Sequence, residues 1–124
     1  MIAADTSALS ALLKGEAGKD CDRLALALQA GELKLPPVVV TETLSDPLAF
    51  NAVADLLSQI ELLEIKDGYW QRAGDMRRHI KAKGHKAKTA DALIAQSCID
   101  HGVALITRDG DFRHFAKYCG LKLA

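Results

Sequence analysis

The chain has 124 residues, 49% hydrophobic and 26% charged, enough for one compact domain with a substantial core and too few for two ordinary cores. That balance excludes a disordered chain, and apolar runs such as residues 24–28 and 103–106 fall far short of the roughly 20 residues that span a bilayer. Lys+Arg and Asp+Glu both number 16, yet residues 1–62 carry 4 against 9 and residues 63–124 carry 12 against 7, so the halves stand at −5 and +5. An acidic pocket and a basic surface can therefore share one small body. Met1-Ile2-Ala3-Ala4-Asp5 has neither a basic segment nor a long apolar one, so no secretory signal is expected and the cytoplasm is the expected compartment. Cys21, Cys98 and Cys119 are odd in number, far apart and outside any C-x-x-C pair, which predicts reduced, buried thiols.

Ile2 to Ala4 is a short apolar run followed by the capping residues Asp5-Thr6-Ser7, and Ala8 to Leu13 then stops before Gly15, which predicts a strand and then a helix. Cys21, Leu24 and Leu28 recur at helical spacing before Gly31; the Leu/Ala alternation imitates a strand, but the composition favours helix. Leu33 to Leu35 is a strand candidate cut by Pro36-Pro37. Val38-Val39-Val40 has β propensity but runs straight into Thr41-Glu42-Thr43-Leu44, so pattern leaves that boundary open. Ala49, Val53, Leu56, Leu57 and Ile60 keep a helical period, and Ile60 to Ile65 reads as a strand. Tyr69, Ala73, Met76 and Ile80 form the core face of the next helix.

After Gly84, Thr89 is placed to N-cap a helix that is apolar nearly all round and stops at His101-Gly102. Val103 to Ile106 is a buried-strand signature. It is followed by Thr107-Arg108-Asp109-Gly110-Asp111, by a short helix with Phe112, Phe115 and Ala116, and by a candidate last strand at Leu121 to Leu123. Strands alternating with helices imply an α/β fold in three layers, a mostly parallel sheet with helices on both faces, and one domain over 1–124.

In such sheets functional groups gather beyond the carboxyl ends of the strands, near the switch in strand order. Those ends carry acids: Asp5 after the first strand, Glu42 after the second strand region, and Asp109 and Asp111 after the strand at 103–106. Asp91 sits on the first turn of the helix before it, where the dipole favours an anion. Two carboxylates about 4 Å apart repel by around 4 kcal/mol at an effective dielectric of 20, so a cluster needs a counter-charge. Oxygen ligands without His or Cys select Mg²⁺ or Mn²⁺, and such an ion serves phosphodiester hydrolysis by an activated water. Taken singly, each acid is also an ordinary cap or turn residue; the coincidence at three strand ends is what sets them apart.

The segments Met1-Ile2 with Asp5-Thr6-Ser7-Ala8-Leu9, Glu42 after the Val run, Thr89-Ala90-Asp91-Ala92-Leu93-Ile94-Ala95, and Leu105-Ile106-Thr107-Arg108-Asp109-Gly110-Asp111-Phe112 resemble the motifs of PIN-domain proteins, especially VapC-type toxins, in order and over essentially the whole chain. The resemblance implies a metal-dependent endoribonuclease of a toxin–antitoxin pair. Asp5, Glu42, Asp91 and Asp109 would be its catalytic, metal-binding acids, Asp111 a further acidic position, and Ser7 and Thr107 polar support. Because both Asp109 and Asp111 are acidic where many members have Asn and Asp, which one meets the metal stays open. A homodimer and a small antitoxin partner are likewise implied by the resemblance alone.

Residues 77–88 hold six Lys+Arg and no acid, so Arg77, Arg78, Lys83, Lys86 and Lys88 are candidate contacts to an RNA backbone, against the alternative of a solvated helix end. Asp46, four residues after Glu42, is either a helper of Glu42 or a cap before Pro47. The four His residues lack metal-site spacing, and Ser7 lacks a nucleophile elbow. Tyr69 and Trp70 are possible base stackers, with Tyr69 favoured for the core by its helical spacing. Two rival functions share some of these features. A signalling receiver domain would need an acidic pair after strand one and a late Lys, which are missing. A non-catalytic PIN-like module binding RNA or protein would keep the pocket without the chemistry.

Overall fold

In the computed structural model, which describes residues 1–49 and 51–124, β1 (Ile2–Ala4), β2 (Leu33–Leu35), β3 (Glu61–Leu62) and β4 (Ala104–Ile106) form one sheet in the order β3-β2-β1-β4, each neighbouring pair parallel. Parallel neighbours need long crossovers, and here each consists of two helices. The first joins β1 to β2 through α1 (Thr6–Leu13) and α2 (Lys19–Gln29), and the second joins β2 to β3 through α3 (Pro37–Leu44) and α4 (Asn51–Ser58). The third joins β3 to β4 through α5 (Tyr69–Ala82) and α6 (Thr89–His101). A 3₁₀ turn, Gly110–Phe112, and α7 (Arg113–Cys119) follow β4. The result is the expected three-layer α/β architecture.

β1 is buried at every position, which is why it reads as continuous apolar sequence rather than as an alternation. The core is built on Leu9, Leu24, Leu35, Val39, Ile80, Ile94, Leu105, Phe112 and Phe115, all essentially inaccessible to solvent. At the sheet edge β3 is exposed, and Lys34 of β2 pairs with Glu61 across the strands.

Several sequence-level expectations shift in physical detail. Val38, Val39 and Val40 lie inside α3 rather than in a strand: Pro37 occupies its first turn, where a missing N–H costs nothing, and burial of Val39 outweighs β propensity. Thr89 does not cap α6 from outside but is its first helical residue. Lys88 stands at the cap position with no side-chain cap hydrogen bond. The strand expected at 60–65 shortens to Glu61–Leu62, and the expected last strand reduces to one bridge between Leu105 and Leu123. The helix expected from Ala49 starts, among the described residues, at Asn51. Asp46 lies beyond the end of α3, exposed, and accepts a hydrogen bond from the Leu48 amide at 2.9 Å, so it is a turn residue rather than a helper of Glu42. Cys21 and Cys98 are buried as expected, whereas Cys119 is only half-buried.

Gly102, at φ +62°, ends α6 in the left-handed region, which turns the chain directly into β4. From β1 the chain steps outward to β2 and β3, then returns to the other side of β1 for β4. The switch in strand order therefore lies between β1 and β4, and a crevice is expected beyond their carboxyl ends.

Candidate functional site

The register Ala4 to Ile106, continued by the Asp5 amide donating to the Ile106 carbonyl at 3.2 Å, brings Asp5 beside Thr107 although 102 residues separate them. Asp5 is 3% exposed and N-caps α1. Its carboxylate accepts from the Ala8 amide at 2.9 Å, from Ser7 Oγ at 2.8 and 2.9 Å, and from Thr107 Oγ1 at 2.6 Å. The two hydroxyls pass this anchoring on. Ser7 Oγ accepts from the Arg108 amide at 3.0 Å, and Thr107 Oγ1 accepts from the Asp109 amide at 2.9 Å. One buried carboxylate thus fixes two successive backbone amides of the loop after β4. Burial pushes the pKa of Asp5 up, the charge of Asp109 adds to this, and the hydrogen bonds from Thr107, Ala8 and Ser7 oppose it.

That loop carries two more acids. Asp109 Oδ1 accepts from the Asp111 amide at 2.9 Å, an Asx-type turn that opens the 3₁₀ segment. Asp91 projects from the first turn of α6. Asp91, Asp109 and Asp111 each offer a carboxylate oxygen, and the three oxygens lie within 4.8 Å of one another. Asp91 is 9% exposed, and its Oδ2 is buried with no hydrogen-bond partner among the described residues. Its pKa rises to about 6, first through burial and then through the charges of Asp109, Glu42 and Asp111, with Lys88 pulling the other way. Glu42, half-buried on α3, stays outside the three-acid group but close enough for its charge to act on Asp91, and Thr6 Oγ1 donates to Glu42 Oε1 at 2.7 Å.

The five acids from four chain segments thus form one electrostatically coupled set, with Asp91, Asp109 and Asp111 at its centre and both Asp5 oxygens already engaged. Lone, all-oxygen ligation around a buried unpartnered oxygen fits a hard divalent cation: only a cation or a proton relieves the repulsion there.

The basic segment is less uniform than its sequence. Arg77, Lys81, His85, Lys86 and Lys88 line a shallow open groove of about 430 Å³ between the end of α5 and the start of α6. Arg77 is partly committed, its Nε donating to the Ala87 carbonyl at 2.6 Å. Arg78 points elsewhere and pairs with Asp75 at 2.7 Å on the exposed face of α5. Lys83 lies over the Tyr118 ring, 4.9 Å from its centroid. Tyr69 is buried with its hydroxyl donating to the Leu93 carbonyl at 2.7 Å, whereas Trp70 is 60% exposed.

Sequence reasoning missed two supports. Thr6 holds Glu42 from 36 residues away. Arg108 reaches from the acidic loop to α2 and the turn before it, donating to Asp20 Oδ2 at 2.6 Å, Asp20 Oδ1 at 3.1 Å and the Ala17 carbonyl at 3.0 Å. Its guanidinium holds Asp20 down at about 2. The only linear signal for either was adjacency to an acid already singled out.

A parallel α/β sheet with an acidic crevice at its switch point defines the class of protein. The PIN-domain family model matches residues 2–118, and the chain belongs to the PIN-domain family. Three crystal structures share its fold. VapBC2 from Rickettsia felis, bound to a DNA fragment from their promoter, has a chain 19% identical with a TM-score of 0.76, covering 100% of this chain and 98% of its own. DNA-bound VapBC from Salmonella typhimurium gives 18% identity, a TM-score of 0.71 and coverage of 100% and 98%. FitAcB from Neisseria gonorrhoeae gives 18%, 0.70, and 99% and 96%. No curated protein matches the sequence. No helix among the described residues is long and apolar enough to cross a membrane.

Proposed function

We propose that this chain is a metal-dependent endoribonuclease, the toxin of a toxin–antitoxin pair, hydrolysing RNA phosphodiester bonds with Mg²⁺ or Mn²⁺. The observation that carries the reading is the meeting of Asp91, Asp109 and Asp111 around a buried, unpartnered Asp91 oxygen at the switch point of the sheet. A bound Mg²⁺ or Mn²⁺ would supply an activated water as nucleophile and stabilise the leaving oxygen. Asp91, Asp109 and Asp111 would hold it, with Asp5 and Glu42 completing the acidic set.

The chain's own residues prepare this site. Asp5, through Ser7 and Thr107, fixes the amides of Arg108 and Asp109 and so keeps the two loop acids facing Asp91. Thr6 restrains Glu42. Asp91, raised to about 6, is mostly ionised at neutral pH and so meets a cation there with little competition from protons, a competition that grows as pH falls through about 6. The groove of Arg77, Lys81, Lys86 and Lys88 includes a cation, Lys88, whose charge acts on Asp91, and it suits the backbone of a single strand. The structures that share this fold carry the paired names VapBC2, VapBC and FitAcB, which supports a small antitoxin partner here; a homodimer and a cytoplasmic location complete the reading.

The test is cleavage of an end-labelled single-stranded RNA by purified protein with Mn²⁺, with EDTA, and with Asp91→Asn in Mn²⁺. Cleavage by the wild type alone, and only with metal, is expected. Cleavage in EDTA, or by a folded Asp91→Asn protein, would reject the assignment.

A further inference from the structure

Beside the acidic set lies an aromatic stack that none of the preceding chemistry uses. His85, in the loop between α5 and α6, stacks on His114 of α7 with centroids 4.1 Å apart and planes 12° from parallel. Tyr118, one turn further along α7, also stacks on His85 at 5.7 Å and 21°, its hydroxyl 3.5 Å from His85 Nε2. Lys83 and Lys117 lie over the Tyr118 ring at 4.9 and 5.3 Å. All three rings are half-buried, so the stack is neither core nor free surface. His85 is also a wall of the groove formed by Arg77, Lys81, Lys86 and Lys88, and His114 follows Asp111 by three residues.

We infer that the His85–His114 stack is a nucleobase platform at which an unpaired nucleotide of the RNA lies while its phosphates follow the adjacent basic groove. This rests on the ribonuclease reading and adds to it how the substrate is gripped. Interleaved cations and aromatic faces are the pattern by which proteins hold single strands: the cations track the backbone and the rings stack on bases with little regard to sequence. A purely structural stack would join α7 to the loop as well, but it would not need to form the wall of a groove lined by cations. A paired base is already stacked within its duplex, so the platform selects unpaired RNA.

The experiment uses full-length protein carrying Asp91→Asn, so that RNA stays intact, and single-stranded oligonucleotides with 2-aminopurine at successive positions, whose fluorescence is quenched on stacking. Wild-type cleavage of the unlabelled strand is measured alongside. Quenching at one or two positions is expected. His114→Ala or His85→Ala should remove it and weaken binding by about tenfold, the loss of one base–ring stack, and His114→Phe should retain both. The salt slope of binding should stay unchanged in all three. If the wild type cleaves RNA but no position is quenched, or His114→Ala binds and quenches as before, the platform is wrong and the nuclease reading stands. If the wild type neither binds nor cleaves RNA, both fall. Should His114→Ala fail to fold, the quench pattern and the His114→Phe protein decide the matter.

Discussion

Thr107 Oγ1 donates a 2.6 Å hydrogen bond to Asp5 Oδ2 and, through its other side, accepts the amide of Asp109. The hydroxyl is therefore the joint between the end of β1 and the loop that carries two of the three central acids. Thr107→Val keeps the shape and removes the joint. It should cost about 1.5–3 kcal/mol in urea unfolding, the usual worth of a hydrogen bond to a charged group, and slow cleavage as well. Thr107→Ser should restore most of both.

Asp91 makes an opposite prediction for stability. In metal-free protein at pH 7 its carboxylate is buried among like charges, so Asp91→Asn should be more stable than wild type by on the order of 1 kcal/mol while cleavage is lost. Adding Mn²⁺ should raise the melting temperature of the wild type, by linkage of binding to folding, and leave that of Asp91→Asn nearly unchanged. An ordinary capping aspartate would show the reverse, losing stability on substitution and ignoring metal.

The same group sets a pH dependence. The folded-state pKa of Asp91 is about 6, above its ordinary value of 3.8, so between these pH values the folded protein binds more protons than the unfolded one. Its contribution to stability is fully present below pH 3.8 and is lost as pH rises through about 6. Metal affinity runs the other way, weakening as pH falls through about 6 because the proton competes with the ion. Urea midpoints at pH 4.5 and 7.5 for metal-free wild type and Asp91→Asn isolate this group, since only the wild type should show the extra loss at the higher pH.

Arg108 and Asp20 tie the acidic loop to α2. Arg108→Ala and Asp20→Asn should each slow cleavage, and the double variant should be little worse than either single one, because both cut the same tether. Additive effects would show that the two act separately. Lys86 and Lys88 should each flatten the salt dependence of RNA binding by about 0.7 on replacement with Ala, whereas Arg78→Ala, with its side chain paired to Asp75 away from the groove, should leave the slope alone.

The sequence announces elements whose signal is local. Continuous apolar residues mark β1 and β4, Gly102 marks the end of α6, and the helical period of Tyr69, Ala73, Met76 and Ile80 marks the buried face of α5. Val38 to Val40 mislead because intrinsic preference is weaker than the start signal of Pro37 and the burial of Val39. Asp5, Asp109 and Asp111 are legible as acids at strand ends, whereas Glu42, expected after a strand, stands near the end of α3, and Asp91 stands on the first turn of α6 as expected. What one dimension hides is their division of labour. That both Asp109 and Asp111 join Asp91, while Asp5 is saturated by hydroxyls and an amide, follows from the β1–β4 register and the Asx turn at Asp109. Thr6 on Glu42 and Arg108 on Asp20 join residues 36 and 88 positions apart, and their one local sign, adjacency to Asp5 and to Asp109, does not point to those partners. His85 and His114 lack metal-ligand spacing, and their stacking across 29 residues leaves no local pattern in the sequence.

The most direct measurement of the central claim is anomalous diffraction at the manganese edge from crystals of this protein grown or soaked with Mn²⁺. The account predicts a peak bonded to oxygens of Asp91, Asp109 and Asp111, absent from Asp91→Asn crystals treated alike. Saturating Mn²⁺ with no peak at these carboxylates in the wild type, in protein that cleaves RNA in the same buffer, would contradict it.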